Sequence, residues 1–309
     1  MKEKKFLPLL LAVLLLVSVM AACGSPAGNS ETAATVSVID MTGREISLDA
    51  PATKLVALSA ADCEIVFALG AGHALVGRGE YCGYPAEAAG IPIVQSGAGT
   101  NVEQIINLEP QVVLMNTMAQ SEELVAQLEN AGIEVVVSTA EDIHGVYEAI
   151  AMVGTVVGRE TAAAELISNM KQSFADIEIS TEAGGGKTVY FEVSPLEYGL
   201  WTAGNGTFMD EIADIIGLEN IFSDVEGWAE VSEEQVIYRN PDYIVTLTAY
   251  ESIGQDPIEE IRLRDAWRDI SAVRNEAVLN FADDELTVPG PRLALGAEVL
   301  YEFVYGKVE

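Results

Sequence analysis

Histidine, cysteine and basic side chains are scarce in this chain of 309 residues, and each scarcity closes off a line of chemistry. Only His73 and His144 are available, which is too few for a histidine-rich zinc or manganese centre. His73 sits in a glycine-rich turn and His144 near the start of an expected helix, both ordinary surface positions. Lys and Arg number 16 against 48 Asp and Glu, for a net charge of −32. That field repels nucleic acid and anionic lipid surfaces, and it disfavours a highly anionic small ligand unless a local basic pocket exists. The familiar phosphate motifs are missing as well. Gly186-Lys187-Thr188 has Thr181 where a phosphate loop needs its first glycine, and Thr188 leads into a strand rather than a helix. Gly97-Ala-Gly99 has Val102 in place of the third glycine of a dinucleotide fingerprint. There is no nucleophile elbow or zincin helix, and a pair of carboxylates says little among 48. No catalytic residue, metal site or cofactor is expected.

What is present begins at the N-terminus. Lys2, Lys4 and Lys5 precede an apolar run from Phe6 to Val19, followed by Met20-Ala-Ala-Cys23. A charged start, a short apolar core and small residues at the cut make a secretory signal, and the run is short for a membrane span. Cys23 after Ala-Ala resembles a bacterial lipobox, so residues 1–23 are expected to be the signal, Cys23 to carry the lipid, and 24–34 to be a Gly/Ser/Ala/Asn tether. Without the signal, 13 basic and 47 acidic residues remain, for a charge near −34. Cys63 and Cys82 are then the only other cysteines; outside the cytoplasm they are free to pair, but sequence alone does not bring them together.

Two stretches repeat one pattern at a separation of 131 positions: Asn101-Val-Glu-Gln running to Pro110, and Ser232-Glu-Glu-Gln running to Pro241. Each opens on a capping residue with Gln three positions on, makes a short helix, and stops at proline before an apolar strand. The repeat predicts two similar halves. Glu103 and Glu234 occupy the second helical position in each copy and point outward, either to dock a partner or simply to complement a helix dipole.

Strand and helix alternate through both halves, predicting an α/β fold of two similar lobes with mainly parallel central sheets. From Arg159 to about Ile179, apolar residues recur at helical spacing. The expected organisation is an N-terminal lobe over 35–158, an interlobe helix over 159–183 and a C-terminal lobe over 184–309. A single helical connection implies a stiff hinge and a small rocking motion. Aromatic and polar residues gather in loops after strands, where open α/β sheets bind ligands: Arg78, Tyr81, Cys82 and Tyr84; Tyr198 and Trp201; Trp228; Tyr250; and Pro289 to Arg292.

Taken together, Val76-Gly-Arg-Gly-Glu-Tyr-Cys-Gly-Tyr-Pro85, Asn101-Val-Glu-Gln, Trp201-Thr-Ala-Gly204, Gly206-Thr-Phe-Met-Asp-Glu211, Gly217-Leu-Glu-Asn-Ile-Phe222, Gly227-Trp228, Val231-Ser-Glu-Glu-Gln-Val236 and Pro291-Arg292 resemble one family over the whole mature chain. It is the substrate-binding lipoproteins of bacterial ABC importers that serve cobalamin, ferric siderophores and haem. The resemblance implies a chain anchored outside the cytoplasm that delivers a metal chelate to a permease dimer with its ATPase, without being an enzyme. It further implies that Glu103 and Glu234 form salt bridges with permease arginines, one per lobe. Tyr81, Trp201 and Trp228 match aromatic positions that face the corrin in the cobalamin binder, while Gly97 and the region of Val288 depart from its pattern. A corrinoid is the first expectation, since stacked aromatics suit a large flat macrocycle and the negative charge disfavours ferric catecholates. Ferric siderophore or haem follows, with Arg78 and Arg292 as local positive charge. An anchored chelatase or hydrolase, or a sensor that never transports, are rivals on a similar fold; neither histidine falls in the site loops.

Overall fold

Tight alternation of buried and exposed positions starts the described residues: β1 (Val36–Ile39) and β2 (Glu45–Leu48) form an antiparallel hairpin with Val36 opposite Leu48. A computed structural model describes residues 35–118, 121–180, 186–249, 254–281 and 285–306. The signal segment, Cys23, the tether and Tyr250 lie outside the described residues.

The first sheet is assembled from short, apolar strands separated by capped helices. β3 (Leu55–Ala57) leads to α1 (Ala60–Ala68), whose first turn is capped by the Ser59 hydroxyl accepting from the Asp62 amide. Then follow β4 (Leu75–Gly79), β5 (Ile93–Val94), α2 (Val102–Asn107), β6 (Val112–Met115), α3 (Glu122–Asn130) and β7 (Glu134–Val137). All five strands are parallel, in the order β5-β4-β3-β6-β7. Leu55 and Ala57 belong to one core and Val56 and Leu58 to another, because successive side chains leave opposite faces of the sheet. Both faces are therefore covered, as a parallel sheet requires.

α4 (Ile143–Val156) and the 21-residue α5 (Glu160–Ser180) follow. At 1.5 Å per residue α5 is roughly 32 Å long. Its buried stripe of Ala163, Met170, Phe174 and Ile177 joins the one core that also takes Leu114 from the first sheet and Val189 and Phe191 from the second. The long helix is thus part of the packing between the lobes as well as their connection.

The second lobe repeats the scheme with β8 (Lys187–Glu192), β9 (Trp201–Ala203), α6 (Phe208–Ile215), β10 (Leu218–Asn220), β11 (Trp228–Glu230), α7 (Glu233–Arg239), β12 (Tyr243–Thr246), α8 (Pro257–Leu263), α9 (Ser271–Arg274), β13 (Val278–Asn280) and α10 (Leu293–Tyr305). Its parallel sheet runs β10-β8-β12-β13, while β9 and β11 make a separate antiparallel ribbon. The fold is therefore α/β, with two similar lobes, mainly parallel sheets and one long helix between them.

The repeat seen in the sequence persists in the backbone. Glu109 (φ 50°) and Asn240 (φ 45°) are both left-handed, and each immediately precedes the proline that ends its copy. Asn240 tolerates this conformation better than Glu109 does. α2 and α7 each return against the direction of the parallel strands, so their N-termini lie toward the edge where those strands end.

Further hydrogen bonds tie the lobes beyond α5. The Phe208 amide at the start of α6 donates to the Glu141 carbonyl at 2.7 Å, and Glu211 Oε2 accepts from the Ile143 amide at 2.7 Å. Within the C-terminal lobe, Tyr305 Oη donates to the Ile216 carbonyl at 2.8 Å.

Candidate ligand-binding site

Parallel strands place all their C-terminal ends on one edge, which concentrates the loops that follow them. After β4 come Tyr81 and Tyr84, exposed by 79% and 49%. After β8 come Tyr198 (63%) and Trp201 (42%), and Trp228 is exposed by 38%. Large rings left in water at a strand-end edge have the form of a binding surface rather than of a core.

The sequence places Trp201 and Trp228 in loops; the structure corrects this, because both lie on the β9–β11 ribbon. Trp201 pairs with Glu230 and Trp228 with Ala203. Directly paired residues share a face, and residues two apart on a strand do too, so the two indoles are diagonal neighbours on the same side. Thr202, between them in period, points the other way and is fully buried. Phe208 supports Trp228 from beneath, with ring centroids 5.6 Å apart. The close approach of the two backbones just past the ribbon needs Gly204: its amide donates to the Gly227 carbonyl at 2.8 Å, and a Cβ there would sit 2.1 Å from the Val225 carbonyl oxygen.

Arg78 and Cys82 do not face this surface, which corrects their assignment as ligand contacts. Arg78 is buried, its Nε donating to the Ala88 carbonyl at 2.8 Å and its Nη1 to the Cys82 carbonyl at 3.0 Å. The guanidinium ties together the segment beneath Tyr81 and Tyr84. Cys82 is 1% exposed, its Sγ 3.2 Å from the Ser59 carbonyl oxygen.

Arg292 is likewise engaged. Nη2 lies 2.7 Å from Glu64 Oε1 and Nη1 3.2 Å from Glu285 Oε1, and the guanidinium stacks 4.1 Å above the Tyr84 ring. Glu64, Phe67, Tyr84, Pro85, Pro291 and Arg292 line a cleft of about 400 Å³. Two carboxylates against one guanidinium leave no surplus positive charge, so the expectation that Arg292 offers it to a ligand is also corrected.

Two buried polar clusters were invisible in the sequence. Asp62 accepts from the Ser59 hydroxyl at 2.5 Å and the Ser138 hydroxyl at 2.6 Å; burial outweighs both bonds and pushes its carboxyl up to about 6. At the end of β8, Glu192 meets Arg264 at 2.6 Å, and Glu260 completes the cluster. Burial opposes the Arg264 charge, but its bonds to Glu192 and Glu260 prevail and hold its pKa above the ordinary value. Trp267 stacks on its other side at 4.2 Å. Among the described residues no three His, Cys, Asp or Glu side chains gather as a metal site.

Glu103 and Glu234 both stand exposed in the first turns of α2 and α7. Asn101 caps the first helix by accepting from the Gln104 amide, and Ser232 with Gln235 forms a full capping box on the second. Hydrogen bonds from its own amide and from Ser232 lower the Glu234 pKa, favouring its charged form. Asp224, Gln235, Tyr238 and Arg239 line a hollow beside it.

Comparison with known proteins agrees with this architecture. Residues 55–284 match the family described as periplasmic binding protein. A substrate-binding lipoprotein of an ABC transporter in Bacillus subtilis, the uncharacterized YvrC, is 33% identical over 95% of this chain and 96% of its own. The vitamin B12-binding protein of Salmonella paratyphi A is 27% identical over 81% of this chain and 89% of its own. A solved structure from Staphylococcus epidermidis, a possible iron-binding (periplasmic solute-binding) protein, superimposes with a TM-score of 0.70 at 28% identity, covering 82% of this chain and 99% of that one. The chain belongs to the periplasmic binding protein family, a family of transport components rather than enzymes.

Proposed function

We propose that this protein is the extracytoplasmic substrate-binding component of an ABC importer, and that it captures a corrinoid between its lobes for delivery to the permease. The observation that carries the ligand class is the pair of exposed indoles, Trp201 and Trp228, on one face of a ribbon at the strand-end edge. Flat apolar rings suit a large macrocycle. The relatives named for vitamin B12 support the corrinoid reading. The engagement of Arg78 and Arg292 supports it further, since a ferric siderophore or haem, the second reading, carries anionic groups that those arginines were expected to meet. That second reading is favoured by the Staphylococcus epidermidis neighbour. Tyr81 and Tyr198 are assigned to the rim, Glu103 and Glu234 to permease docking, and Cys23 to the lipid anchor.

The deciding measurement is quenching of tryptophan fluorescence by cobalamin, cobinamide, haem and several ferric siderophores. Tight saturable quenching by the corrinoids is expected. Tight binding of haem or a siderophore with no response to either corrinoid would replace the ligand, and no binding of any of them would remove the class.

A further inference from the structure

The two copies of the sequence repeat differ just ahead of the glutamate assigned to docking: Val102 precedes Glu103, whereas Glu233 precedes Glu234. Val102 packs inward against the core of the first sheet. Glu233 also turns inward although it is a carboxylate, and its Oε2 accepts from the Trp267 indole Nε1 at 3.0 Å. Trp267 is fully buried and held on two sides, by the Arg264 guanidinium at 4.2 Å and by an edge contact with Tyr190 at 6.1 Å between ring centroids. Arg264 is fixed in turn by Glu192 at the end of β8, Nη1 to Oε2 at 2.6 Å and Nη2 to Oε1 at 3.1 Å. The donor that Glu233 meets is therefore an immobile one.

The size of α7 explains what such a hold does. The helix has seven residues, of which only Val236 is buried. One buried side chain sets a helix's distance from the sheet but leaves it free to turn about its own axis. The capping box of Ser232 and Gln235 is internal to the helix start and does not fix that turn. Arg239 pins the last turn, through the Ile221 carbonyl and Asp224. Glu233 lies three positions before Val236 on the same face, so its bond fixes the first turn. Glu234, about 100° further round, stands exposed there. The Val231 amide, just ahead of the helix, donates to the Leu200 carbonyl at 2.9 Å, so α7 leaves directly from the ribbon that carries Trp201 and Trp228.

We propose that Glu233 and Trp267 are positioning residues for docking: the indole N–H holds α7 at the rotation that points Glu234 at a cationic surface of the permease. The proposal rests on the docking reading above. The acidic pair at the start of α7 then has two separate roles. Glu233 makes its charge-assisted bond inward, and Glu234 alone faces the partner. Without the indole donor α7 stays attached but turns, and only the fraction of molecules with Glu234 outward is competent to dock. The first copy reaches the same orientation by apolar packing of Val102, which needs no donor.

The full chain, in its own cells, carries photoreactive benzoylphenylalanine in place of Tyr238, which is 90% exposed in the hollow beside Glu234. Irradiation should join it to the permease; the adduct is quantified at equal protein level and its partner identified by mass. Trp267→Phe keeps a ring in the core but removes the donor, and should lower the yield roughly 3- to 10-fold. Glu233→Ala should do the same, while Glu233→Gln, whose amide oxygen still accepts from the indole, should restore most of it. The Ala and Gln variants decide the matter alone if Trp267→Phe fails to fold. Glu234→Lys should abolish the adduct. Parental yield in Glu233→Ala and Trp267→Phe, beside a loss in Glu234→Lys, would overturn the positioning role and leave docking standing. Equal losses in Glu233→Ala and Glu233→Gln would overturn it too, because the charge and not the indole bond would then be responsible. An adduct undiminished by Glu234→Lys would remove docking itself, and the positioning role with it.

Discussion

Arg292 and Glu64, 228 positions apart in the chain, hold each other through two bonds, Nε to Oε2 at 3.0 Å and Nη2 to Oε1 at 2.7 Å. The contact joins the residue just ahead of the last helix to the first helix of the N-terminal lobe, over the Tyr84 ring. Glu64 is 4% exposed and Arg292 11% at the side chain, so neither is well solvated if left alone. Arg292→Met is expected to destabilise by about 3 kcal/mol, because a buried carboxylate loses its counter-charge. Adding Glu64→Gln should recover much of the loss. Denaturant unfolding of the two variants checks this; equal stability of the single variant and the parent would show the pair to be dispensable.

Asp62 should leave a mark on the pH dependence of stability. Its folded-state pKa is raised, from 3.8 to about 6, by burial. A raised pKa means the folded state prefers the protonated form, so this contribution is complete below the unfolded value and is lost as pH rises through about 6. Asp62→Asn should therefore gain on the parent between pH 4 and pH 7, by at most about 3 kcal/mol. Parallel stability profiles for the two proteins would mean that Asp62 ionises normally.

Gly204→Ala tests the ribbon as a platform. The added Cβ would lie 2.1 Å from the Val225 carbonyl oxygen, and backbone on both sides must give way. A loss of about 1–3 kcal/mol in stability is expected from such crowding, together with a shift in tryptophan emission as Trp201 and Trp228 move apart. An unchanged emission spectrum would separate the glycine from the indoles.

Trp201→Ala and Trp228→Ala should each weaken binding of the ligand found in the screen by about 1–3 kcal/mol, or roughly 5- to 150-fold. Titration by isothermal calorimetry reads this directly, without relying on the indoles that were removed. Full affinity in both variants takes the ribbon out of the site.

Glu103→Lys/Glu234→Lys should leave folding and ligand affinity intact while abolishing uptake, with each single variant intermediate. Rim charges act mainly on association and are screened by salt, so docking of the parent should itself weaken as salt rises and the gap between parent and single variants should narrow. Normal transport by the double variant would return both glutamates to the role of complementing helix dipoles.

Much of this architecture was legible because it follows from patterns that are local. The repeat at Asn101 and Ser232, the proline stops and the alternating apolar strands each announce themselves within a dozen residues. α5 was readable from its own spacing, its start expected at Arg159 and found at Glu160, while residues 181–183 of the expected range lie outside the described residues. The β9–β11 ribbon was not, since its strands are three residues long and their pairing crosses 24 intervening positions from Ala203 to Trp228. Arg78 and Arg292 were misread for a related reason. Sequence shows that an arginine is near a binding loop, but not that the Ala88 and Cys82 carbonyls, or Glu64 and Glu285, have already taken its donors.

The direction in which α2 and α7 run carries one more consequence. Because both return against the strands, their first turns rise toward the same edge as the aromatic loops, instead of facing the opposite end of the sheets. A partner that grips Glu103 on one lobe and Glu234 on the other must then straddle the gap between those lobes. Whatever lies in the gap is roofed by the partner at the moment of contact, and its way out leads into that partner. Under the proposed docking, strand polarity thus sets the partner over the way out of that gap.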